Sequence, residues 1–144
     1  MAKSVQLEVI TPEKLFYKGE IELVIVRTLT GDEGFMANHA WACKLLDIGE
    51  MWIREKGKEE FRIAALANGY IDVKDSIIIY TDAAEWQEEI DAGRAAEKKA
   101  AMEAWLNQNL AGEADPNEIA RAKISIAKQA TRMNVAAGGA RRKR

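Results

Sequence analysis

A chain of 144 residues with 48% hydrophobic side chains can bury a core, and only two prolines argue against disorder. The net charge of −2 hides an uneven distribution: residues 1–87 carry 10 Lys+Arg against 15 Asp+Glu, and residues 88–144 carry 11 against 8. The lone cysteine, Cys43, excludes an internal disulfide, and no run approaches the ~18 apolar residues of a membrane span.

The amino terminus goes straight into alternation, without the apolar stretch and cleavage site of a signal peptide. A soluble protein is expected, reaching a membrane only through a partner. Val5, Leu7 and Val9 alternate with polar residues, as do Phe61 and Ile63 around Arg62, which predicts half-buried strands. The runs Leu23–Val26 and Ile77–Tyr80 read as strands covered on both faces. Turn signals separate them at Lys56-Gly57-Lys58, Asn68-Gly69 and Lys74-Asp75-Ser76. Asn68-Gly69 predicts a type I′ hairpin, which needs positive φ at both residues. Many short strands at this spacing predict a sandwich or barrel.

Around residue 82 the period changes. Asp82-Ala83-Ala84-Glu85 has capping-box spacing, which predicts a helix start there or a few residues on. Residues 90–110 are rich in Ala, Lys and Glu. Asp115 then reads as an N-cap, Pro116 as the first helical residue and Glu118 as the capping-box acid of a second helix. Its stripe Ile119, Ala122, Ile126, Ala130 and Met133 faces Ile90, Ala95, Met102, Leu106 and Leu110 on the first helix, an antiparallel hairpin. Alanine supplies helix propensity but little apolar area, so this hairpin should hold weakly and be able to dock elsewhere. Gly138-Gly139 through Arg144 is expected to fray. The predicted fold is α+β by segregation: a β-sandwich over 1–86, a helical hairpin over 87–137 and a basic disordered tail over 138–144.

Few residues suggest chemistry. His39 and Cys43 lie four apart, but two ligands do not make a zinc site, and a Cys–His nucleophile lacks context. No catalytic or metal residue is therefore assigned. Gly31-x-x-Gly34 lacks the Lys-Ser/Thr of a P-loop, so it reads as a turn displaying Asp32 and Glu33. Arg121, Lys128 and Arg132 share one helical face away from the apolar stripe; it is either a solvated face or a basic surface for acidic loops or phosphates. The Arg141–Arg144 run has no aromatic platform beside it, so it is read as a solubilising tail, not a nucleic-acid site. Trp41 and Trp52 are placed in or on the sandwich, and Trp86 and Trp105 as anchors of the hairpin.

The order of these features resembles the epsilon subunit family of bacterial F-type ATP synthases over about residues 5–136. The resemblance rests on Thr11-Pro12-Glu13, Phe16, Gly19-Glu20, Gly31 to Met36 with Asn38-His39-Ala40, Leu46-x-x-Gly49, Ile63-Ala64 to Gly69 and Ile77 to Thr81. It continues through Ala84-Glu85, Glu89-Ile90-Asp91, Arg94-Ala95 and the second helix, Arg121-Ala122 to Arg132-Met133. It implies a non-catalytic rotor subunit on the cytoplasmic face of the plasma membrane, coupling ring rotation to the catalytic head. Gly31, Asp32, Glu33 and Gly34 would face the c-subunit ring, and His39 the gamma subunit. The hairpin would fold on the sandwich, or extend along gamma into the alpha/beta head and inhibit hydrolysis.

The resemblance also implies regulatory ATP at Glu85, Ile90, Asp91, Arg94, Ala95, Arg121, Lys128 and Arg132, with no other cofactor. The pattern is broken where Trp41 and Lys44 replace prolines, where Ala101 and Trp105 replace arginines, and where Lys128 replaces an arginine. Lysine is a point charge and alanine offers a phosphate nothing, so the nucleotide site is expected to be weakened or absent. Two rivals stand beside this reading. A free-standing ATP sensor would bind nucleotide tightly by itself, and a secreted adhesion or carbohydrate module would carry a signal peptide and an aromatic groove.

Overall fold

The computed structural model describes residues 3–110, 112 and 114–139. Nine strands come first: β1 (Val5–Ile10), β2 (Leu15–Thr28), β3 (Gly31–Phe35), β4 (Ala42–Leu46), β5 (Gly49–Glu55), β6 (Phe61–Leu66), β7 (Gly69–Val73), β8 (Ile77–Thr81) and β9 (Ala84–Trp86). A 3₁₀ turn, Gln87–Glu89, leads to α1 (Ala92–Asn109) and α2 (Pro116–Ala136). The long strand β2 ties the sandwich together. It pairs with β1, β3 and β5, and touches β4 at Thr28↔Leu46. The run β1-β8-β7-β4-β2 closes on itself through β1–β2, and β5-β6-β9 continues from β2. All pairings are antiparallel except β1–β8.

The alternation in β1 is realised as Val5, Leu7 and Val9 inside. The two apolar runs also alternate instead of being covered on both faces: Val24 and Val26 are buried, as are Ile77 and Ile79, while Leu23, Ile25, Ile78 and Tyr80 are half-buried. The strands with two covered faces are β5 and β6. Ala64 and Leu66 enter the main core; Ile63 and Ala65 point the other way, into a second cluster under α2.

Two turn predictions need correction. Asn68-Gly69 is not a I′ turn, since neither residue has positive φ and the flanking strands β6 and β7 pair with different neighbours. Gly69 opens β7 opposite Thr81, where a Cβ would overlap the Tyr80 carbonyl oxygen and reach 2.8 Å from Thr81 Cα. Glycine is there for close backbone approach. Asp82–Glu85 caps no helix either: Ala84 and Glu85 pair with β6, which spends their backbone groups on a sheet. The first helix instead starts at Asp91, whose Oδ1 accepts from the Arg94 amide at 3.0 Å. Asp115 caps α2 as expected, accepting from the Asn117 amide at 2.9 Å, with Pro116 first in the helix.

The helices pack on each other; of the predicted stripes, Ala95 and Ala122 are buried and Met102, Leu106, Ile119, Ile126, Ala130 and Met133 partly buried. Ile90 and Leu110 are exceptions: Ile90 precedes α1 and joins the cluster around Trp52, and Leu110 is exposed at the end of α1. The carboxyl end departs from expectation most. Gly138 and Gly139 do not fray. Both adopt left-handed conformations and close α2 with Gly138 N–H to Val135 O (3.0 Å) and Gly139 N–H to Asn134 O (2.6 Å). The remainder of the basic tail, residues 140–144, lies outside the described residues.

Candidate functional site

Contact between hairpin and sandwich is one-sided. α1 packs on α2, while α2 reaches β5, β6 and the 3₁₀ turn through its last turns. On β5, Met51 and Ile53 face the main core, which forces Trp52 outward. Left uncovered, that indole would expose on the order of 150–250 Å² of mostly apolar surface. Val135 of α2 covers it together with Ile63 and Ala65, and Ile25, Phe61 and Ile90 close the sides. Trp52 is 1% exposed and Val135 0%.

Beside this apolar contact sits a charged one. Arg132 of α2 meets Glu85 of β9 with two nitrogens, Nε to Oε1 at 2.7 Å and Nη2 to Oε2 at 3.3 Å. Its third nitrogen donates to Oε1 of the buried Gln129 at 2.8 Å. A fork-to-fork pair of this kind fixes orientation as well as charge. Arg132 therefore does not lie on a solvated face; three residues from both Gln129 and Val135, it shares their sandwich-facing side.

Two clefts flank this pair. One, about 200 Å³, is walled by Ala65, Ala67, Ala83 and Ala84, with Glu85 and Lys128 beside them. The other, about 630 Å³ and more polar, is lined by Glu89, Asp91, Arg94, Glu97, Lys98 and Arg132. Of the residues proposed for a nucleotide, Glu85, Asp91, Arg94, Lys128 and Arg132 thus gather around one stretch of the interface. Ile90 and Ala95 serve packing instead. Arg121 stands apart, beside Met102, Trp105 and Glu118 between the helices; eleven residues from Arg132, it is ~16 Å away along the axis. Asp91 is committed to its cap and Arg132 to Glu85.

The segment proposed to face a ring is not a loop. Gly31–Phe35 is strand β3, and the turn is Leu29-Thr30 before it. Asp32 faces Arg27 across the strands, with Arg27 Nε to Oδ1 at 3.3 Å. Glu33 is bound by Lys44, the residue standing where a proline was expected. The Lys44 ammonium, with the Thr28 hydroxyl, holds the Glu33 carboxyl below the usual carboxylate range. Gly31 has a φ of +123°, and Gly34 leaves room for Leu23, 3.2 Å from a hypothetical Cβ.

His39 follows the left-handed Asn38 in a turn; its ring lies 4.8 Å from that of Phe35 and Nδ1 is 2.7 Å from Ala40 O. The helical spacing of His39 and Cys43 is therefore never realised. Among the described residues no group of three His, Cys, Asp or Glu could hold a metal ion. Met36, Trp41 and Leu45 expose apolar surface nearby. Trp41 lies on the sandwich, as predicted, but outside its core. Trp86 is no hairpin anchor: it stacks on Phe16 at 4.6 Å, with Arg62 over its ring at 3.9 Å. Trp105 meets the groove between the helices, and the residue that holds the hairpin is Trp52.

Residues 4–87 match the family model described as ATP synthase, Delta/Epsilon chain, beta-sandwich domain. The fold thus defines a delta/epsilon-type sandwich carrying a helical hairpin. An ATP synthase epsilon chain of Caldicellulosiruptor bescii is 37% identical over 91% of this chain and 92% of its own length. One from Alkaliphilus metalliredigens is 42% identical over 75% of this chain and 80% of its own length. The chain belongs to the ATP synthase epsilon-chain family. A chain of the Euglena gracilis mitochondrial ATP synthase assembly of OSCP, F1 and c-ring shares the fold, with a TM-score of 0.76 over 89% of this chain and 78% of that one at 18% identity. No helix among the described residues is long and apolar enough to cross a membrane.

Proposed function

We propose that this chain is a non-catalytic central-stalk subunit whose sandwich couples rotation of the c-subunit ring to the catalytic head through the gamma subunit. Its hairpin limits ATP hydrolysis by leaving the sandwich and reaching the alpha/beta head. Attachment to the membrane is indirect, through the complex on its cytoplasmic face. The Gly31–Gly34 strand faces the ring and the His39 turn faces gamma; with Asp32 and Glu33 already paired in cis, contact there relies on shape more than on free charge.

The observation that carries the reading is the one-sided docking of the hairpin. The main core contains no helical residue, so the sandwich persists when the hairpin departs. Among the described residues, departure exposes the cluster around Trp52 and breaks the Arg132–Glu85 ion pair. A partner surface offering comparable burial is enough to shift such a balance, because only the difference between the two docked states matters. Removal of residues 88–144 is expected to raise ATP hydrolysis by the reconstituted catalytic complex severalfold while leaving assembly intact. Unchanged hydrolysis in a fully assembled complex would show that the hairpin is no brake.

A regulatory ATP at the hairpin is a second reading, favoured by the open cleft beside Arg132. Three cations there, Arg94, Lys98 and Arg132, stand against three acids, Glu89, Asp91 and Glu97, so the cleft has no net attraction for a triphosphate. A nucleotide must also displace Glu85 from Arg132. Weak binding follows, and Arg132→Ala should reduce it about tenfold, the equivalent of ~1.4 kcal/mol. Titration calorimetry with Mg-free and Mg-bound ATP measures this directly. Tight binding by the isolated chain would favour a nucleotide sensor; no binding heat would leave the cleft without a ligand.

A further inference from the structure

The carboxyl end of α2 does more than terminate a helix. Gly138 and Gly139 both sit in the left-handed region, at φ +109° and +84°. Their surroundings differ. A Cβ on Gly138 would meet nothing within 4 Å, whereas one on Gly139 would lie 2.6 Å from Trp52 Cζ2 and 2.9 Å from Glu50 Oε1. The bare backbone at Gly139 is therefore laid directly onto the indole that Val135 also covers. The indole is itself held in place, its Nε1–H donating to Glu50 Oε1 at 2.9 Å.

We infer that the Gly138-Gly139 turn is a latch, which seats the end of α2 on Trp52 and sets how readily the hairpin leaves the sandwich. The inference builds on the movable hairpin proposed above. It follows from where the contacts lie: the described α2 residues set against the sandwich, Lys128, Gln129, Thr131, Arg132 and Val135, fall in the second half of the helix, so release begins at its carboxyl end. Any side chain at Gly139 keeps the turn from closing on Trp52. Val135 and Arg132, one and two turns upstream, are then the described contacts that remain to hold the hairpin.

The paired glycines supply their own control. Alanine is strained at both positions because both have positive φ, and more so at Gly138, which lies further from the left-handed minimum. Only at Gly139 does it also strike Trp52. In the full-length chain, Gly139→Ala should increase amide hydrogen exchange across residues 122–136 by about fivefold relative to Gly138→Ala, with the β-strands of the main core unchanged. Trp52→Phe shortens the ring under the turn, so in that background the difference between the two alanines should shrink.

Equal exchange in the two alanine variants overturns the latch. So does a Gly139→Ala effect that persists undiminished beside Trp52→Phe. The same variants assembled into the catalytic complex separate this inference from the one beneath it. Faster exchange in Gly139→Ala with unaltered ATP hydrolysis keeps the latch and removes the brake. Faster exchange with deeper inhibition supports both.

Discussion

Gly69→Ala should destabilise the sandwich by about 3 kcal/mol, the upper part of the range for overpacking a well-filled site. The added methyl would overlap the carbonyl oxygen of Tyr80 and crowd Thr81 Cα. Both belong to the backbone of the neighbouring strand, so no rotamer change relieves the clash. Strand β7 lies between β4 and β8, and shifting it disturbs both ladders. Gly57→Ala is the comparison. Gly57 has a φ of +77° with nothing within 4 Å of its Cβ position, so alanine there meets backbone strain alone, ~1 kcal/mol. Urea unfolding reads both, as a lowered midpoint at constant slope. Equal midpoints for the two variants would mean that the strand approach at Gly69 is not tight.

The same glycine shows where sequence reasoning stops. Asn68-Gly69 has the composition of a hairpin turn, and composition cannot tell positive φ from close approach; the choice depends on which strands become neighbours. Strand content and the cap at Asp115 were legible because each is local. Asp82–Glu85 misled for the opposite reason. Its capping spacing is genuine, but pairing of Ala84 and Glu85 with β6 is a long-range event that satisfies the same backbone groups.

The candidate site divides along the same line. Asp91 carried its own signal as an N-cap. The partnership of Arg132 with Glu85, 47 residues away, carried none, and neither did that of Lys44 with Glu33. One long-range relation does have a local trace. On β5, Trp52 falls between Met51 and Ile53, so a strand whose alternate positions fill the core must turn its largest side chain outward. A tryptophan on the outer face needs a cover, and the second helix is the element that supplies it. The two glycines after α2 read as the start of a frayed tail because nothing local revealed the ring on which they close.

Trp52→Ala tests whether sandwich and hairpin are separable. Truncating a buried tryptophan costs about 3–5 kcal/mol. Where that loss appears depends on which atoms surround the ring. Trp52 shares its cluster with Ile63, Ala65 and Val135, on the opposite side of the sheet from the residues of the main core. Most of the loss should therefore fall on docking of α2, and the hairpin should exchange its amides faster while strands β1, β7 and β8 keep their protection. Met51→Ala, one residue away but facing the main core, should lower protection of the strands as well. If Trp52→Ala instead releases helices and strands together, the two halves form one cooperative unit. A hairpin welded into the sandwich in that way has no second resting place, and neither its brake nor its latch survives that result.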